Sequence, residues 1–256
     1  MKQKLHLMLK GAMFFKALVV MLFAFAATGY AQTSGTWGGI DWTLDADGTL
    51  TIAPTTGEPV QDPNSANKFT YKVGQWREAV KYSGGSAASI AGWPYDRTKV
   101  KKLIIEEGVT SIGSFVAQSM TNLTGEVVIP WTVTYIGQEA FQKATMTKLI
   151  FQKVPEGETG NPICIAQGAF KNLIITEFSF PDDRDVHIHP WVLQNCKQLK
   201  HVVLPATIKS FGFNNQHIDY NTHNTNPSSH STGYVDNNIL ASTDALVSVT
   251  FGSKHV

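Results

Sequence analysis

Only two cysteines occur in 256 residues, and charged side chains make up just 16% of the chain. So few cysteines exclude a dense disulfide framework. Past residue 31, no hydrophobic run approaches the ~20 residues that cross a bilayer. A Gly-rich phosphate loop, a Gly-x-Ser-x-Gly elbow and a His-Glu-x-x-His pair are all missing. The usual sequence signatures of nucleotide, serine-hydrolase and zinc-protease chemistry are therefore excluded. Acidic residues are also missing from the first 31 positions.

That last absence frames what stands there. Lys2, Lys4, Lys10 and Lys16 form a basic head, and residues 17–27 are an almost unbroken apolar run. Gly29 and Ala31 then place small residues where a signal peptidase reads. The pattern predicts a Sec-type signal peptide over residues 1–31, cleaved before Gln32. The alternative is an uncleaved N-terminal anchor, for which the apolar run is short. No cysteine follows the run, which argues against a lipid-anchored lipoprotein. Without the four leader lysines, 17 basic residues face 20 acidic ones, a net charge of about −3. A mildly acidic exported chain is a poor nucleic-acid binder, which needs a dense basic patch.

The informative content is a repeat. The isoleucine of Val-x-x-Ile recurs at Ile112 and Ile136, with counterparts at Ile165, Ile188 and Phe211. The spacings are 24, 29, 23 and 23 residues. A period of roughly 20–50 residues marks a stack in which each unit buries its apolar face against its neighbours. Five residues past each anchor stand Ala117, Phe141, Phe170 and Leu193; eight past it stand Met120, Ala144, Leu173 and Cys196. Each unit then enters a short β-rich segment beginning at Lys102, Glu126, Lys148, Glu177 or His201. A short turn or helix is expected around the Ala-Phe pair.

Alternate side chains of a strand face opposite ways. The inward set is Leu103/Ile105, Val127/Ile129, Leu149/Phe151, Phe178/Phe180 and Val202/Leu204, all apolar. One outward column reads Lys102, Glu126, Lys148, Glu177, His201, with charges that alternate if the strands stack in register. The next reads Ile104, Val128, Ile150, Ser179, Val203. β propensity alone accounts for branched residues there. The functional reading is a solvent-facing apolar stripe that marks a contact surface. Lys102, Ile104, Glu126, Val128, Lys148, Ile150, Glu177, His201 and Val203 are the candidate binding residues. The third unit carries about five extra residues within 154–162, rich in Gly, Pro and Glu, expected to form a solvated loop.

Ile163 and Ile165 flank Cys164 at period two, so Cys164 is expected to face outward. Cys196 falls in an inward column. Two free cysteines are expected, with a pairing left open. Residues 36–52 read as a β-hairpin about Asp45, Asp47 and Gly48, a turn rather than a calcium loop. Such a hairpin suits a cap over the first repeat. Val73, Trp76 and Val80 at helical spacing predict one short helix over 74–82. Residues 214–238, rich in Asn, Ser, Thr and His, predict a long polar loop, and 246–251 one more repeat strand. The expected layout is thus a signal peptide (1–31), a hairpin with irregular lead-in (32–99), a repeat array of about five units (100–213), a polar loop (214–238) and a terminal partial repeat (239–256).

Residues 42–52, the run from Lys101 to Gly113, Ile129-Pro130, the run from Val133 to Phe141 and that from Leu193 to Leu199 resemble the BspA-like leucine-rich repeat proteins of anaerobic gut and oral bacteria. Ala117 stands where that family's usual aromatic would. The resemblance implies a β-rich solenoid, a right-handed leucine-rich repeat stack with an N-terminal β-hairpin cap. It implies an exported or cell-surface protein; some members are adhesins that bind host extracellular-matrix proteins or other bacteria. The family motif contains no catalytic residues.

His187 and His189, with Asp183 and Asp185 before them, do not fix the convergence a zinc site needs. They are expected to be solvated. No enzyme activity, metal or cofactor is expected. The expected function is a secreted or cell-surface binding module whose strand face takes a host or bacterial surface protein, with the periplasm or outer envelope as the other location. A glycan-binding envelope protein using Trp131, Tyr135 and Trp191 as stacking platforms, or a structural envelope protein, is the alternative.

Overall fold

A computed structural model describes residues 33–59, 71–76, 93–211 and 239–252. Residues Gln32–Val256 form a compact unit of their own, separate from Met1–Ala31. The signal peptide, most of the expected helix and the polar loop at 214–238 lie outside the described residues.

Three antiparallel strands open the unit: β1 (Thr33–Trp37), β2 (Ile40–Leu44) and β3 (Thr49–Pro54). The β2–β3 hairpin forms because Asp45 organises its own turn. Its Oδ1 accepts from the amides of Asp47 at 3.0 Å and Thr49 at 2.7 Å. Gly48 closes the turn at φ +88°, where a Cβ would lie 2.5 Å from the Lys99 carbonyl oxygen. The Asp45 carboxylate serves the backbone of its own turn. β3 then pairs in parallel with β4 (Lys102–Ile105), Leu50 beside Leu103 and Ile52 beside Ile105. The hairpin thereby continues the inward column of the first repeat.

Five more strands follow β4 on the same side: β6 (Glu126–Ile129), β8 (Lys148–Phe151), β10 (Glu177–Ser179), β12 (His201–Leu204) and β14 (Ser248–Phe251). With β4, these are, among the described residues, the five expected repeat strands and the further one expected over 246–251, which pairs with β12 from Ser248 to Phe251. A second side carries the shorter strands β5 (Ser111–Ile112), β7 (Tyr135–Ile136), β9 (Ile163–Ile165), β11 (Val186–Ile188) and β13 (Ile208–Phe211). These form one parallel sheet in the order β13-β11-β9-β7-β5. The inward residues of both sheets and of the intervening turns make one core, from Trp37 to Ile239. Nine of the ten expected inward strand residues are buried, and Phe151 is half-buried.

The third side is built from turns, not from helix. Phe115, Ser119, Glu139, Lys143, Asn172, Trp191, Asn195 and Ser242 all adopt left-handed φ between 49° and 62°. The same positions recur in each unit because the turns stack. Ala117 N donates to Ala140 O at 2.8 Å, Phe141 N to Ala169 O at 2.9 Å and Phe170 N to Val192 O at 3.0 Å. A helix would direct those amides along its own axis and leave the neighbouring unit unbonded. Two left-handed residues per turn keep Ala117, Phe141, Phe170 and Leu193 pointing into the core. In the column Ser119, Lys143, Asn172, Asn195, the side-chain Nδ2 of Asn195 donates to Asn172 Oδ1. Lysine is the least suited of the four to left-handed backbone. Lys143→Asn should raise stability by about 0.5–1 kcal/mol in urea unfolding; a lower midpoint would show that this turn tolerates lysine without strain.

The lead-in secures the first turn, where Ala117 leaves space. Tyr95 is buried edge-on to Trp37 and Trp42, with centroids 5.9 and 5.5 Å away. Its hydroxyl and the Trp93 indole both donate to Val116 O, each at 3.1 Å. The expected helix does not begin at Gly74. Gln75 bridges Ser111, and Trp76 bridges Gly38. Trp76 is fully buried, and its amide donates to Ser111 O at 3.0 Å, so addition to the sheet edge wins over helical spacing.

Candidate functional site

The long strands present their outward side chains in two rows. Lys102, Glu126, Lys148, Glu177 and His201 are all exposed. Beside them, Ile104 and Val128 are 36% and 43% exposed, Ser179 is exposed, and Ile150 and Val203 are half-buried. Register places Glu126 next to Lys148 and Val128 next to Ile150. Lys148 Nζ lies 3.4 Å from Glu126 Oε1, an exposed pair worth about 0.2–1 kcal/mol. At the other end His201 Nδ1 meets Ser248 Oγ at 2.9 Å.

The charge row does not run along one continuous sheet. The long strands divide into ladders β1-β2-β3-β4, β6-β8 and β10-β12-β14, so β4/β6 and β8/β10 lie side by side without a ladder between them. The β8/β10 joint opens into a cleft of about 330 Å³. Ile150, Phe151, Phe178 and Val203 line it, and Lys148 and Glu177 stand at its rim. Phe151 meets Phe178 edge-on at 6.1 Å and Phe170 at 6.2 Å, which closes the floor. At one end Lys153 Nζ lies 3.8 Å from Asp182. The volume is at the lower end for a small-molecule pocket and suits a single large side chain. Lys148, Ile150, Glu177 and Val203 among the sequence candidates reach this cleft; Lys102, Ile104, Glu126, Val128 and His201 lie elsewhere on the face. Phe151, Phe178, Lys153 and Asp182 were missed. Their one signal was the third unit's length, since β8 and β10 start 29 residues apart while β6 and β8 start 22 apart.

The extra residues 155–159 are exposed as expected, but the two ends of the insertion are packed. Val154 N donates to Asp183 Oδ2 at 2.6 Å. A Cβ at Gly160 would lie 2.7 Å from Val154 Cγ2 and 3.3 Å from Arg184 Cβ. Arg184 is buried, 4% exposed, and its guanidinium donates to the carbonyls of Trp131 and Val133. Burial pulls its pKa down while Asp183 pushes it back up.

The aromatic candidates do not form a platform. Tyr135 is 5% exposed between Ser111 and Cys164 in the second sheet, so neither ring face is open to a sugar. Trp131 is half-buried and donates to Glu107 Oε1 at 3.0 Å, while Trp191 is half-buried in a left-handed turn. Alternation also misplaced Cys164, which is 4% exposed. The outer face of the short-strand sheet is itself covered, by Tyr135, Ala166 and His189. Cys164 Sγ lies 3.4 Å from His189 Nε2, so His189 is buried rather than solvated. Burial pushes the Cys164 thiol up to about 12 and the Cys196 thiol up to about 11. A nucleophilic thiolate needs the opposite shift. Both cysteines are free. His187 is half-buried and held below the ordinary imidazole value, first by burial and then by Lys209, against Asp185.

Among the described residues, no helix is long and apolar enough to cross a membrane. No curated protein matches the chain. Solved structures similar to it include a leucine-rich repeat protein from Eubacterium ventriosum, 21% identical over 71% of this chain and 40% of that one, with a TM-score of 0.48. A leucine rich cell surface protein from Faecalibacterium prausnitzii is 20% identical over 68% of this chain and 55% of its own, with a TM-score of 0.32. The pneumococcal vaccine antigen PcpA is 19% identical over 68% and 50%, with a TM-score of 0.35. The chain spans about half the length of these structures. The family profile of the BspA type leucine rich repeat region matches residues 84–157 and 159–255 in six copies, and with most of its length so matched the chain belongs to the BspA-type leucine-rich repeat family.

Proposed function

We propose that this chain is an exported protein-binding module of the bacterial envelope, and that its long-strand face holds a partner protein. In this reading residues 1–31 direct export and the β2–β3 hairpin caps a right-handed repeat stack. One observation carries the reading: the Ile104/Val128/Ile150/Val203 row lies on a strand face and runs into an aromatic-floored cleft with Lys148 and Glu177 at its rim. Such a face offers an apolar anchor pocket beside charges of both signs, the anatomy of a specific protein contact. The partner would place one large apolar side chain in the β8/β10 cleft and pair its charges with the rim.

The test immobilises Gln32–Val256 and exposes it to envelope extract and, separately, to purified host extracellular-matrix proteins. Saturable capture of one protein is expected, weakened at least about tenfold in the Val128→Ser/Ile150→Ser double variant. Val128 is exposed and Ile150 half-buried, so the urea midpoint of that variant should fall by no more than about 1 kcal/mol equivalent. Capture that the double variant leaves unchanged would place the contact elsewhere and sink the proposal.

A further inference from the structure

The β8/β10 cleft carries a charge imbalance that selects what enters it. Two cations and three carboxylates line it: Lys148 and Lys153 against Glu177, Asp182 and Asp183. Each lysine already faces a carboxylate. Lys148 Nζ reaches across to Glu126 Oε1 on β6 at 3.4 Å, on the side of β8 away from β10. Lys153 Nζ lies 3.8 Å from Asp182 Oδ1. Asp183 is committed as well: its Oδ2 accepts from Val154 N at 2.6 Å, and its Oδ1 lies 3.9 Å from Arg184 Nε. Glu177 is what remains. It is exposed, and among the described residues no cation comes within ion-pair distance of it. His201, its neighbour in register on β12, turns Nδ1 to Ser248 Oγ at 2.9 Å instead.

A surface carboxylate is ordinarily well solvated, and a pairing with it is worth little. This one stands beside apolar surface. Glu177 precedes Phe178, which closes the floor, and stands two positions before Ser179, about 7 Å along the strand. Ile150 and Val203 add to the apolar lining. A side chain seated against that lining displaces water from one flank of Glu177, and the lower local dielectric strengthens any charge partner that arrives with it. A cation arriving there meets an uncompensated carboxylate. An anion meets Glu177 as a like charge, and must draw Lys148 from Glu126 or Lys153 from Asp182 to find a partner. Charge complementarity therefore favours one sign at this cleft.

We propose that the partner's anchor is flanked by a basic residue: an apolar side chain fills the β8/β10 cleft, and an ammonium or guanidinium group beside it pairs with Glu177. This rests on the strand-face reading above and adds the sign of the partner's charge. Phenethylamine, a ring joined to an ammonium group, is the first probe. Hydrocinnamate, the same ring joined to a carboxylate, is its counterpart. Amide chemical-shift titration of Gln32–Val256 follows the β8 and β10 signals. Phenethylamine should bind in the millimolar range and hydrocinnamate about fivefold more weakly. Glu177→Gln should remove that preference and Glu177→Lys should invert it. Lys148→Gln takes a cation from the rim and should tighten phenethylamine about twofold, a gain that damage to the fold does not produce. Equal binding of the two probes by the parent, tighter binding of hydrocinnamate, no shift at β8 or β10 with either, or a preference that survives Glu177→Gln would each overturn the proposal. Glu177→Lys then enters the capture experiment, where it should weaken capture at least about tenfold. Capture lost in the Val128→Ser/Ile150→Ser variant but unchanged by Glu177→Lys would overturn the basic flank alone. Capture indifferent to both would remove the strand-face reading itself.

Discussion

Phe170→Ala should lower the unfolding free energy by about 4 kcal/mol, the largest loss expected from any single truncation in this chain. Phe170 is fully buried at mid-stack. It stacks on Phe141 of the preceding unit at 5.8 Å and meets Phe178 at 5.1 Å and Phe151 at 6.2 Å. Its amide also lies in the turn ladder, bonded to Val192 O at 3.0 Å. That ladder holds the backbone in place, so the cavity left by the ring cannot collapse easily. Stability in repeat arrays is roughly a sum of unit and nearest-neighbour terms, and this ring belongs to two interfaces at once. Urea unfolding measures the loss. Phe251→Ala is the control: that ring is 70% exposed, and its removal should change stability by less than about 0.5 kcal/mol. Losses of similar size at the two positions would mean that the core is loosely packed at its centre. Because Phe151 and Phe178 line the cleft as well, Phe170→Ala should also weaken partner capture.

Arg184→Ala should lower stability by about 3 kcal/mol through a different mechanism. The side chain is fully buried, and its guanidinium satisfies the Trp131 and Val133 carbonyls. Truncation orphans both acceptors and leaves a cavity. Asp183 Oδ1 lies 3.9 Å from Arg184 Nε, too long for a strong ion pair, so the carbonyl contacts carry most of the effect. Arg184→Met fills most of the volume but still orphans the carbonyls, and should recover about half of the loss. Equal losses in the two variants would assign the whole effect to hydrogen bonding. Full recovery by methionine would assign it to volume. Arg184 packs against Gly160, so either variant should also loosen the insertion beside the cleft, read as faster amide exchange at Val154.

Much of the fold was legible because a strand decides its own faces. Leu103, Ile105, Val127 and Ile129 alternate with Lys102, Ile104, Glu126 and Val128, and burial follows that alternation residue by residue. The repeat period then aligned Met120, Ala144, Leu173 and Cys196 into one buried column. The strand face was legible for the same reason. Alternation misled at Cys164, since it assigns a side to a residue but not what covers that side. Arg184 was invisible because a charged residue in a polar loop gives no sign that two carbonyls more than 50 residues earlier will enclose it. The left-handed turns were hidden too: phenylalanine, lysine and tryptophan do not announce positive φ, and only the ladder to the next unit imposes it.

The amino-acid sequence by itself determined that this chain is a repeat array and which long-strand residues fill its core, because periodicity is local and every unit repeats it; the leucine-rich repeat family was legible from the resemblance of its motifs. Tertiary structure alone decided where the neighbouring long strands part. It placed the β8/β10 cleft between Phe151 and Phe178, enclosed Arg184 and Cys164, and left Val249 and Phe251 exposed. Each of these depends on how one unit meets another more than 20 residues away, and that meeting is settled by packing and backbone hydrogen bonds between units rather than by any pattern within one.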